Sequence, residues 1–387
     1  MIAVIADDLS GAAELAGAAQ ARGMTAEVQT DFNPSTNAEV VAVDTDTRSG
    51  TADEAAQRVG EITRRVLEAR PDWIYKKTDS VLRGHVRREI TAMLSATGRP
   101  RALFVPANPS RGRIIRGGRY LADGTPLDQT FFARDPAYPA TSSSVLELLA
   151  REDGENLELI ADWREIPPGG IIVPDATTSA DLAGLADLAD ESTLCAGAVE
   201  FFDALLVTRT GRINLVPGDA APSRGGTTLF ICGSAVAWPA RREQCERRGI
   251  PVLAMPRGLM MGVGSDNRSD LTAWAAETAQ RLADSGCVLI AIGDAPVAGP
   301  FAPCRLEETL AQTVEAVLQI ASVERVFLEG GATAAAVLRR MKATRLAVRG
   351  QFAPGLPAFR LVGNKGPLLA IKPGSYHWPE SIWPERS

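Results

Sequence analysis

The sequence has very little histidine: only His85 and His377 among 387 residues. A zinc centre built from several histidines is therefore excluded, and a serine–histidine triad has only two candidates for its base. We expect any catalysis to use carboxylates, lysine and arginine, backbone amides or a bound metal. Phosphate chemistry draws on the same set of groups.

Cysteine pairs and long apolar runs are missing too. The five cysteines are widely spaced, without a C-x-x-C pair, which is typical of a protein in a reducing cytoplasm. The longest apolar run, Cys287–Ile292, is far shorter than the roughly 20 residues of a membrane span. Met1–Asp8 contains no basic segment, so no signal peptide is predicted. We expect a cytoplasmic protein that needs no membrane.

The chain has no excess of positive charge. Lys and Arg number 41 and Asp and Glu number 47, so the net charge is −6, and nonspecific binding to nucleic acid is not expected. A hydrophobic fraction of 45% and a charged fraction of 23% are typical of a globular protein. At about 100–200 residues per domain, the length predicts two domains.

Short apolar runs alternate with segments of helical periodicity, which predicts an α/β fold. We expect two doubly wound domains with mainly parallel sheets and an active-site cleft between them. A stretch rich in Pro, Gly and Ser marks the boundary, and the predicted parts are domain 1–218, linker 219–225 and domain 226–387. The stretch 117–139 is rich in turns and shows no helical period.

Acidic residues follow the first predicted strand. Asp7 and Asp8 are adjacent, and two neighbouring carboxylates repel each other unless a cation or hydrogen-bond donor compensates them. One of them could simply cap the next helix. Ser10 could add a hydroxyl that binds a polyol. Arg48, in a loop after a later strand, could hold a substrate carboxylate or form a salt bridge within its own loop.

The densest polar cluster follows the strand near residue 76. Two lysines, an aspartate and an arginine within eight residues could bind an anionic substrate and hold a base near it, whereas a solvated loop would have a similar composition. The candidate residues are Lys76, Lys77, Asp79, Ser80 and Arg83. Arg111 and Arg113 supply further cationic donors near the same predicted edge.

The second half offers weaker signals for phosphate binding. Ser234 lies between a strand and a helix, and the paired glycines Gly330 and Gly331 could form an anion-binding turn. Lys372 follows a late strand. The sequence contains neither G-x-x-x-x-G-K-[ST] nor G-x-G-x-x-G, so the P-loop and the usual dinucleotide fingerprint are absent.

Several of these segments, in this order, resemble the four-carbon acid sugar kinase family. The first-half segments are Ala6–Ala12 (ADDLSGA), Asp44–Arg48 (DTDTR), Lys76–Gly84 (KKTDSVLRG) and Pro106–Arg113 (PANPSRGR). Gly233-Ser234, the glycine pair and Lys372-Pro-Gly374 resemble the family's nucleotide-binding blocks. The resemblance implies that the N-terminal domain binds a sugar acid such as erythronate, threonate or an oxo-tetronate. It also implies that the C-terminal domain binds ATP, and that the product is the 4-phosphate.

The resemblance further implies roles for individual residues. Asp8, Asp79 and Arg83 would line the substrate site, and the nucleotide contacts would be Ser234, Gly330, Gly331, Thr333, Lys372 and Gly374. Asp8 or Asp79 would orient or deprotonate the terminal hydroxyl, while Arg83 or one of the lysines grips the carboxylate. Mg²⁺ would neutralise the phosphates with few protein ligands, and no protein ligand for it is assigned.

Two other functions stay open. The family has an acidic residue where this chain has Ala332, so a catalytically degenerate protein that senses sugar acids or nucleotide is one alternative. A hydroxy-acid dehydrogenase is the other, although this chain lacks the dinucleotide fingerprint and has little of the histidine that usually relays the proton. The expected partner is a small anionic sugar acid, without nucleic acid or membrane, and a homodimer is the candidate assembly.

Overall fold

The structure is a computed structural model with two compact units, Met1–Val216 and Pro217–Ser387. The described residues are 1–135, 138–149, 157–160, 167–215, 226–234, 237–261, 267–294, 302–353, 356–363, 365–372 and 378–383. The predicted linker 219–225 lies outside them. No helix among the described residues is both long and apolar enough to cross a membrane.

The first unit alternates strands and helices. Its strands are β1 (Ile2–Ala6), β2 (Ala26–Gln29), β3 (Val40–Asp44), β4 (Trp73–Lys77), β5 (Arg101–Val105), β6 (Arg113–Arg116), β7 (Arg119–Ala122), β8 (Thr125–Pro126), β9 (Leu157–Ile160), β10 (Gly170–Pro174) and β11 (Thr193–Gly197). Its helices are α1 (Leu9–Ala21), α2 (Ala52–Glu68), α3 (Val86–Thr97), α4 (Val145–Leu149), α5 (Ser179–Leu188) and α6 (Val199–Thr210).

Eight strands of this unit form one parallel sheet in the order β2-β3-β1-β4-β11-β5-β10-β9. The central strands are buried on both faces and consist mainly of Val, Ile and Ala, as parallel strands covered by helices require. In α2, Thr51 and Glu54 form a capping box, and Val59, Ile62 and Val66 place an apolar stripe on the core.

The second unit also consists of strands and helices. Its strands are β12 (Thr228–Cys232), β13 (Val252–Ala254), β14 (Cys287–Ala291), β15 (Arg325–Glu329), β16 (Arg345–Ala353), β17 (Leu356–Leu361) and β18 (Leu368–Lys372). Its helices are α7 (Trp238–Arg247), α8 (Arg257–Met261), α9 (Asn267–Ser285), α10 (Ala302–Ile320) and α11 (Gly331–Arg340). The strands β13-β14-β12-β15-β18 are parallel, and β17 and β16 continue the sheet antiparallel.

The predicted α/β class with mainly parallel sheets is confirmed. Three features differ from the prediction. β6, β7 and β8 form a small antiparallel sheet that begins just before the stretch predicted to be rich in turns, and its strands were not predicted. The pair β11 and α6 was not predicted. The β16–β17 hairpin was also missed, because its antiparallel pairing breaks the strand–helix alternation.

Candidate active site

The carboxyl ends of three adjacent strands bring the first set of predicted residues together. β1 lies between β3 and β4, and Ala6 pairs with Asp44 on one side and with Lys77 on the other. β2 and β3 lie on one side of β1 and β4 lies on the other. The connection from β3 to β4 therefore passes over β1, and the strand order reverses there. Ligands of doubly wound sheets bind outside the carboxyl ends of the strands at such a point.

Arg48 joins the two neighbouring aspartates that follow β1. Its Nε donates to Asp7 Oδ2 at 2.7 Å and its Nη1 donates to Asp8 Oδ2 at 2.8 Å. Asp8 also caps α1, since its Oδ1 accepts the Gly11 amide at 2.8 Å and its Oδ2 accepts the Ser10 hydroxyl at 2.5 Å. Burial opposes the charge on Arg48, but Asp7 and Asp8 outweigh it and raise the pKa of Arg48 well above its usual range. Asp8 is therefore both a helix cap and a member of a charged cluster.

Asp79 and Arg83 form a forked ion pair in the turn after β4. Arg83 donates from Nε to Asp79 Oδ1 at 3.1 Å and from Nη2 to Oδ2 at 2.8 Å, and Oδ1 also accepts the Val81 amide at 3.0 Å. Burial disfavours the ionised form of Asp79, but Arg83 and Arg48 outweigh burial and lower the pKa of Asp79 well below its usual range. So weak a base is poorly suited to accept a substrate proton. Asp79 instead orders this turn and orients Arg83.

Lys76, predicted as a substrate contact, is a wholly buried cation. Its Nζ lies 2.7 Å from Glu89 Oε2 and donates to the Lys77 carbonyl at 2.8 Å. The Lys76 and Glu89 side chains are 0% and 1% exposed, and Glu89 Oε1 accepts the Thr47 hydroxyl at 2.6 Å. Burial raises the pKa of Glu89, and the Lys76 ammonium limits the rise. A ligand would have to break this buried pair to reach Lys76, so the predicted substrate contact, which stays a prediction, carries that cost.

Glu14 of α1 brings two other predicted cations together. Lys77 Nζ lies 3.5 Å from its Oε2, and Arg111 Nη1 lies 2.9 Å from its Oε1. The start of α1 packs directly on Lys77, because a methyl group at Gly11 would lie 3.2 Å from Lys77 Cγ and 2.8 Å from Asp8 Oδ1. Only glycine fits this close approach without displacing the Asp8 carboxylate.

The remaining predicted substrate residues lie around the turn after β4. Arg113 donates to the Ser80 hydroxyl, and its guanidinium carbon lies 5.5 Å from the centre of the Phe132 ring. Arg83 Nη1 donates to Asp135 Oδ2 at the longer distance of 3.3 Å. We call the residues gathered at this edge the acid–arginine cluster: Asp7, Asp8, Ser10, Arg48, Lys77, Asp79, Ser80, Arg83, Arg111 and Arg113.

Two carboxylates of this region were not predicted, Glu14 and Glu89. Both lie on buried helix faces, and Glu89 is flanked by the apolar Val86 and Ile90 of α3. A buried carboxylate needs a cationic or hydrogen-bonding partner. The usable signal is therefore an acidic residue within the apolar face of a helix.

Three strand ends also meet in the second unit. Cys232, Glu329 and Lys372 are the last residues of β12, β15 and β18, and they lie side by side in register. The Gly233 amide donates to the Glu329 carbonyl at 3.3 Å, and the Gly330 amide donates to the Lys372 carbonyl at 2.9 Å. β12 is crossed by the chain between β14 and β15, so this edge is also a point of strand-order reversal.

The turns at this edge have room only for glycine. A methyl group at Gly233 would lie 1.8 Å from Thr333 Oγ1, and Gly330 has a φ of +107°, a left-handed conformation that favours glycine. Gly331 begins α11, whose first amides have no acceptor within the helix. Exposed amides and closely approaching backbone are what a phosphate group requires. Thr333 itself is buried beneath Gly233.

The carboxylate of Glu329 collects four hydrogen bonds below these turns. Arg241 donates from Nε at 2.8 Å and from Nη2 at 3.1 Å, Lys372 Nζ lies 2.5 Å from Oε1, and Trp378 Nε1 donates at 3.2 Å. We call these four residues the Glu329 hub. Burial lowers the pKa of Lys372, whose side chain is only 4% exposed. Lys372 is thus held inside the domain by Glu329, and its contact with the nucleotide stays a prediction.

Ser234 and Gly374 complete the predicted nucleotide set. Ser234 Oγ accepts the Ala237 amide at 3.2 Å, so the serine helps to begin α7. Gly374 and His377 lie outside the described residues. Within the described part of the chain, no group of three or more His, Cys, Asp or Glu side chains is arranged to hold a metal ion.

Comparison with known families assigns the two halves of the chain to two kinds of domain. Residues 2–205 match the model of a sugar-binding N-terminal domain, and residues 229–376 match the model of a nucleotide-binding C-terminal domain. The chain belongs to the four-carbon acid sugar kinase family. The acid–arginine cluster therefore lies in the sugar-binding domain of this family, and the Glu329 hub lies in its nucleotide-binding domain.

Several named kinases of this family resemble the chain over nearly its whole length. A D-threonate kinase from Cupriavidus necator is 29% identical and covers 98% of this chain and 96% of its own. A D-erythronate kinase from Heliobacterium modesticaldum is 28% identical, with coverage of 94% and 90%. A 3-oxo-tetronate kinase from Methylobacterium radiotolerans is 26% identical, with coverage of 96% and 95%. A crystal structure of a Haemophilus influenzae DUF1537 protein shares the fold, with a TM-score of 0.72 over 98% of each chain at 17% identity.

Proposed function

We propose that this protein transfers the γ-phosphoryl group of ATP to the terminal hydroxyl of a four-carbon sugar acid. D-threonate, D-erythronate and 3-oxo-tetronate are the first candidates, because relatives of similar identity act on them by name. The observation that carries the proposal is the acid–arginine cluster. It places an accessible carboxylate beside several guanidinium groups within the sugar-binding domain.

Asp8 is the carboxylate best suited to the acceptor hydroxyl. Its side chain is 14% exposed, compared with 4% for Asp7 and 7% for Asp79. Asp79 is held ionised by Arg83 and Arg48, which makes it a weak base. Asp8 therefore accepts a hydrogen bond from the terminal hydroxyl and takes its proton as the bond to phosphorus forms.

Arg83 is the best candidate for binding the substrate carboxylate. Its side chain is 26% exposed, and two of its nitrogens are already fixed by Asp79. Among the described residues, the third, Nη1, makes only the 3.3 Å contact to Asp135. Because guanidinium groups bind carboxylates in a forked geometry, an anchored but accessible arginine selects an acid over a neutral sugar. Lys77 and Arg111 add positive potential on the Glu14 side.

The second domain has features suited to binding a nucleoside triphosphate. Gly330, with its φ of +107°, leads directly into α11, whose first amides have no acceptor within the helix and could bind a phosphate. Mg²⁺ bound to the phosphates would neutralise charge as the leaving group departs. In the transfer step, the oxygen of the terminal hydroxyl bonds to the γ-phosphorus, and the bond from that phosphorus to the β,γ-bridging oxygen breaks. ADP leaves with the bridging oxygen, and the hydroxyl proton passes to Asp8.

The test is ADP release by the full chain with ATP and Mg²⁺ against a panel of four-carbon acids: D- and L-threonate, D- and L-erythronate and 3-oxo-tetronate. A matched control is 2,3-dihydroxybutyrate, which has the carboxylate and both inner hydroxyls but no terminal hydroxyl. We expect release with at least one member of the panel, none with the control, and a 4-phosphate product by ³¹P NMR.

Three outcomes would contradict the proposal. Release of ADP with 2,3-dihydroxybutyrate would place the reaction at another hydroxyl. Calorimetric binding of a panel acid without any ADP release would indicate the sensor that Ala332 leaves open. A spectral change of a nicotinamide cofactor on addition of protein and acid would instead support the dehydrogenase.

A further inference from the structure

Arg241 is among the largest fully buried side chains of the protein. Arginine is almost never fully buried unless it is paired. Arg241 lies in α7 and reaches Glu329, the last residue of β15, through two nitrogens at 2.8 and 3.1 Å. Its Nη1 donates to Gln244, one turn further along the same helix. The whole guanidinium is thus used inside the domain.

Glu329 connects this arginine to each turn that the sequence associates with nucleotide binding. Its own carbonyl accepts the Gly233 amide, which precedes Ser234. Its peptide bond leads directly into Gly330, and its carboxylate holds Lys372 at the end of β18. Ser234 lies between β12 and α7, so it is fixed on one side by the sheet and on the other by the helix that carries Arg241.

Stability alone does not account for such a group. Replacing a buried ion pair by apolar residues of similar volume is often neutral or stabilising, because desolvation of the charges offsets their attraction. A forked pair does fix geometry, since the planar guanidinium allows only one arrangement of its partner oxygens. In this protein that arrangement lies directly below the turns at Gly233 and Gly330.

We propose that Arg241 is a positioning residue for the nucleotide, and that it acts through Glu329 on the turns after β12 and β15 and on the end of β18. The inference rests on the proposed use of ATP by the second domain. It extends the site to a residue that has no direct contact with the predicted nucleotide ligands Ser234, Gly330 and Gly331 through any hydrogen bond of the described residues.

The experiment compares Arg241→Lys and Arg241→Met with the wild-type chain. The lysine keeps the buried charge but cannot form the fork, and the methionine removes both. Arg247→Met is the matched control, because Arg247 lies on the same helix, is 61% exposed and pairs with Glu243. Binding of ATP with Mg²⁺ is measured by calorimetry, KM for ATP and for the sugar acid by ADP release, and folding by thermal unfolding.

We expect Arg241→Lys to unfold cooperatively and to bind ATP about tenfold more weakly or worse, because even a misplacement of about 1 Å at a site can have large functional effects. The KM of the sugar acid should stay within about twofold, and Arg247→Met should match the wild type. If Arg241→Met does not fold, Arg241→Lys decides the question.

Unchanged ATP affinity in a folded Arg241→Lys protein would overturn the inference. An equal loss of affinity for ATP and for the sugar acid would also overturn it, because general loosening of the chain affects both. Failure of the wild-type protein to bind ATP is a separate result: it would refute the proposed function, and the inference with it.

Discussion

Arg48 Nη1 lies 2.8 Å from Asp8 Oδ2, although 40 residues of chain separate them. The same guanidinium holds Asp7 through Nε, so one cation pairs with both aspartates that follow β1. This explains how two adjacent carboxylates are tolerated at the end of a buried strand. It also fixes the Asp8 carboxylate in one orientation, which a group that receives a proton from a bound substrate needs.

Replacing Asp8 tests its role as the base. Asp8→Asn keeps an oxygen that can accept the Gly11 amide, but it removes the proton acceptor. We expect kcat for ADP release to fall by about 10²- to 10⁴-fold, the usual contribution of general base catalysis, with little change in the thermal midpoint. Asp53→Asn, at a side chain that is 88% exposed, is the control. A kcat above a tenth of the wild-type value would exclude Asp8 as the base.

Alanine substitutions at Gly11 and Gly60 should differ in their effect on kcat. In Gly11→Ala the new methyl group would lie 2.8 Å from Asp8 Oδ1, so the cap and the carboxylate must move, and we expect strong loss of kcat. Gly60 lies inside α2, where a methyl group would meet only the tip of Arg64 at 3.5 Å. Gly60→Ala should keep full activity and gain up to about 1 kcal/mol in the free energy of unfolding. Equal activity of the two variants would show that the Gly11 approach is unimportant.

The buried Lys76–Glu89 pair should appear in a double-mutant cycle. Each single change, Lys76→Met or Glu89→Leu, leaves one uncompensated buried charge, and we expect each to cost about 3–5 kcal/mol in the free energy of unfolding. The double variant should cost less than the sum of the two. The exposed pair Arg88–Asp53 provides a control cycle with far smaller coupling. Additive costs at Lys76 and Glu89 would mean that the two charges do not interact.

The depressed pKa of Asp79 predicts an acid-dependent loss of stability. A group whose pKa is lower in the folded chain stabilises it above the unfolded pKa, which is about 4 for aspartate, and this stability is lost as the pH falls further. Urea unfolding between pH 7 and pH 3 should therefore show a steeper decline for the wild-type protein than for Asp79→Asn. Parallel curves for the two proteins would contradict the ion pair with Arg83.

The sequence was most informative where polar residues follow apolar runs. Asp8 and Asp79 come shortly after a buried strand, Lys77 is the last residue of one, and parallel strands end at the same edge. The rule that polar residues at the ends of parallel strands meet at one edge predicted the first cluster from the sequence. It could not predict the partner of each adjacent lysine: Lys76 and Lys77 are both buried in β4, and they pair with Glu89 and Glu14, respectively.

The unpredicted elements lack a local signal. β6 and β7 pair through residues such as Arg113 and Arg119, whose side chains give no simple apolar alternation, so the pairing depends on tertiary contacts. Arg241 was overlooked for the same reason. It lies among the charged residues of α7, where composition predicts a solvated helix face, and only the fold shows that this arginine reaches Glu329.

Burial of the Lys76–Glu89 pair has a consequence for work at high ionic strength. Dissolved salt screens charges over about 3 Å at 1 M, but it acts mainly on groups that water reaches. Arg83 and Arg111 are 26% and 32% exposed, whereas Lys76 and Glu89 are almost inaccessible. Added sodium chloride should therefore raise the KM of the anionic substrate without lowering the unfolding free energy that the buried pair supports. Salt titration thus distinguishes binding of the substrate from the stability of the fold around the site.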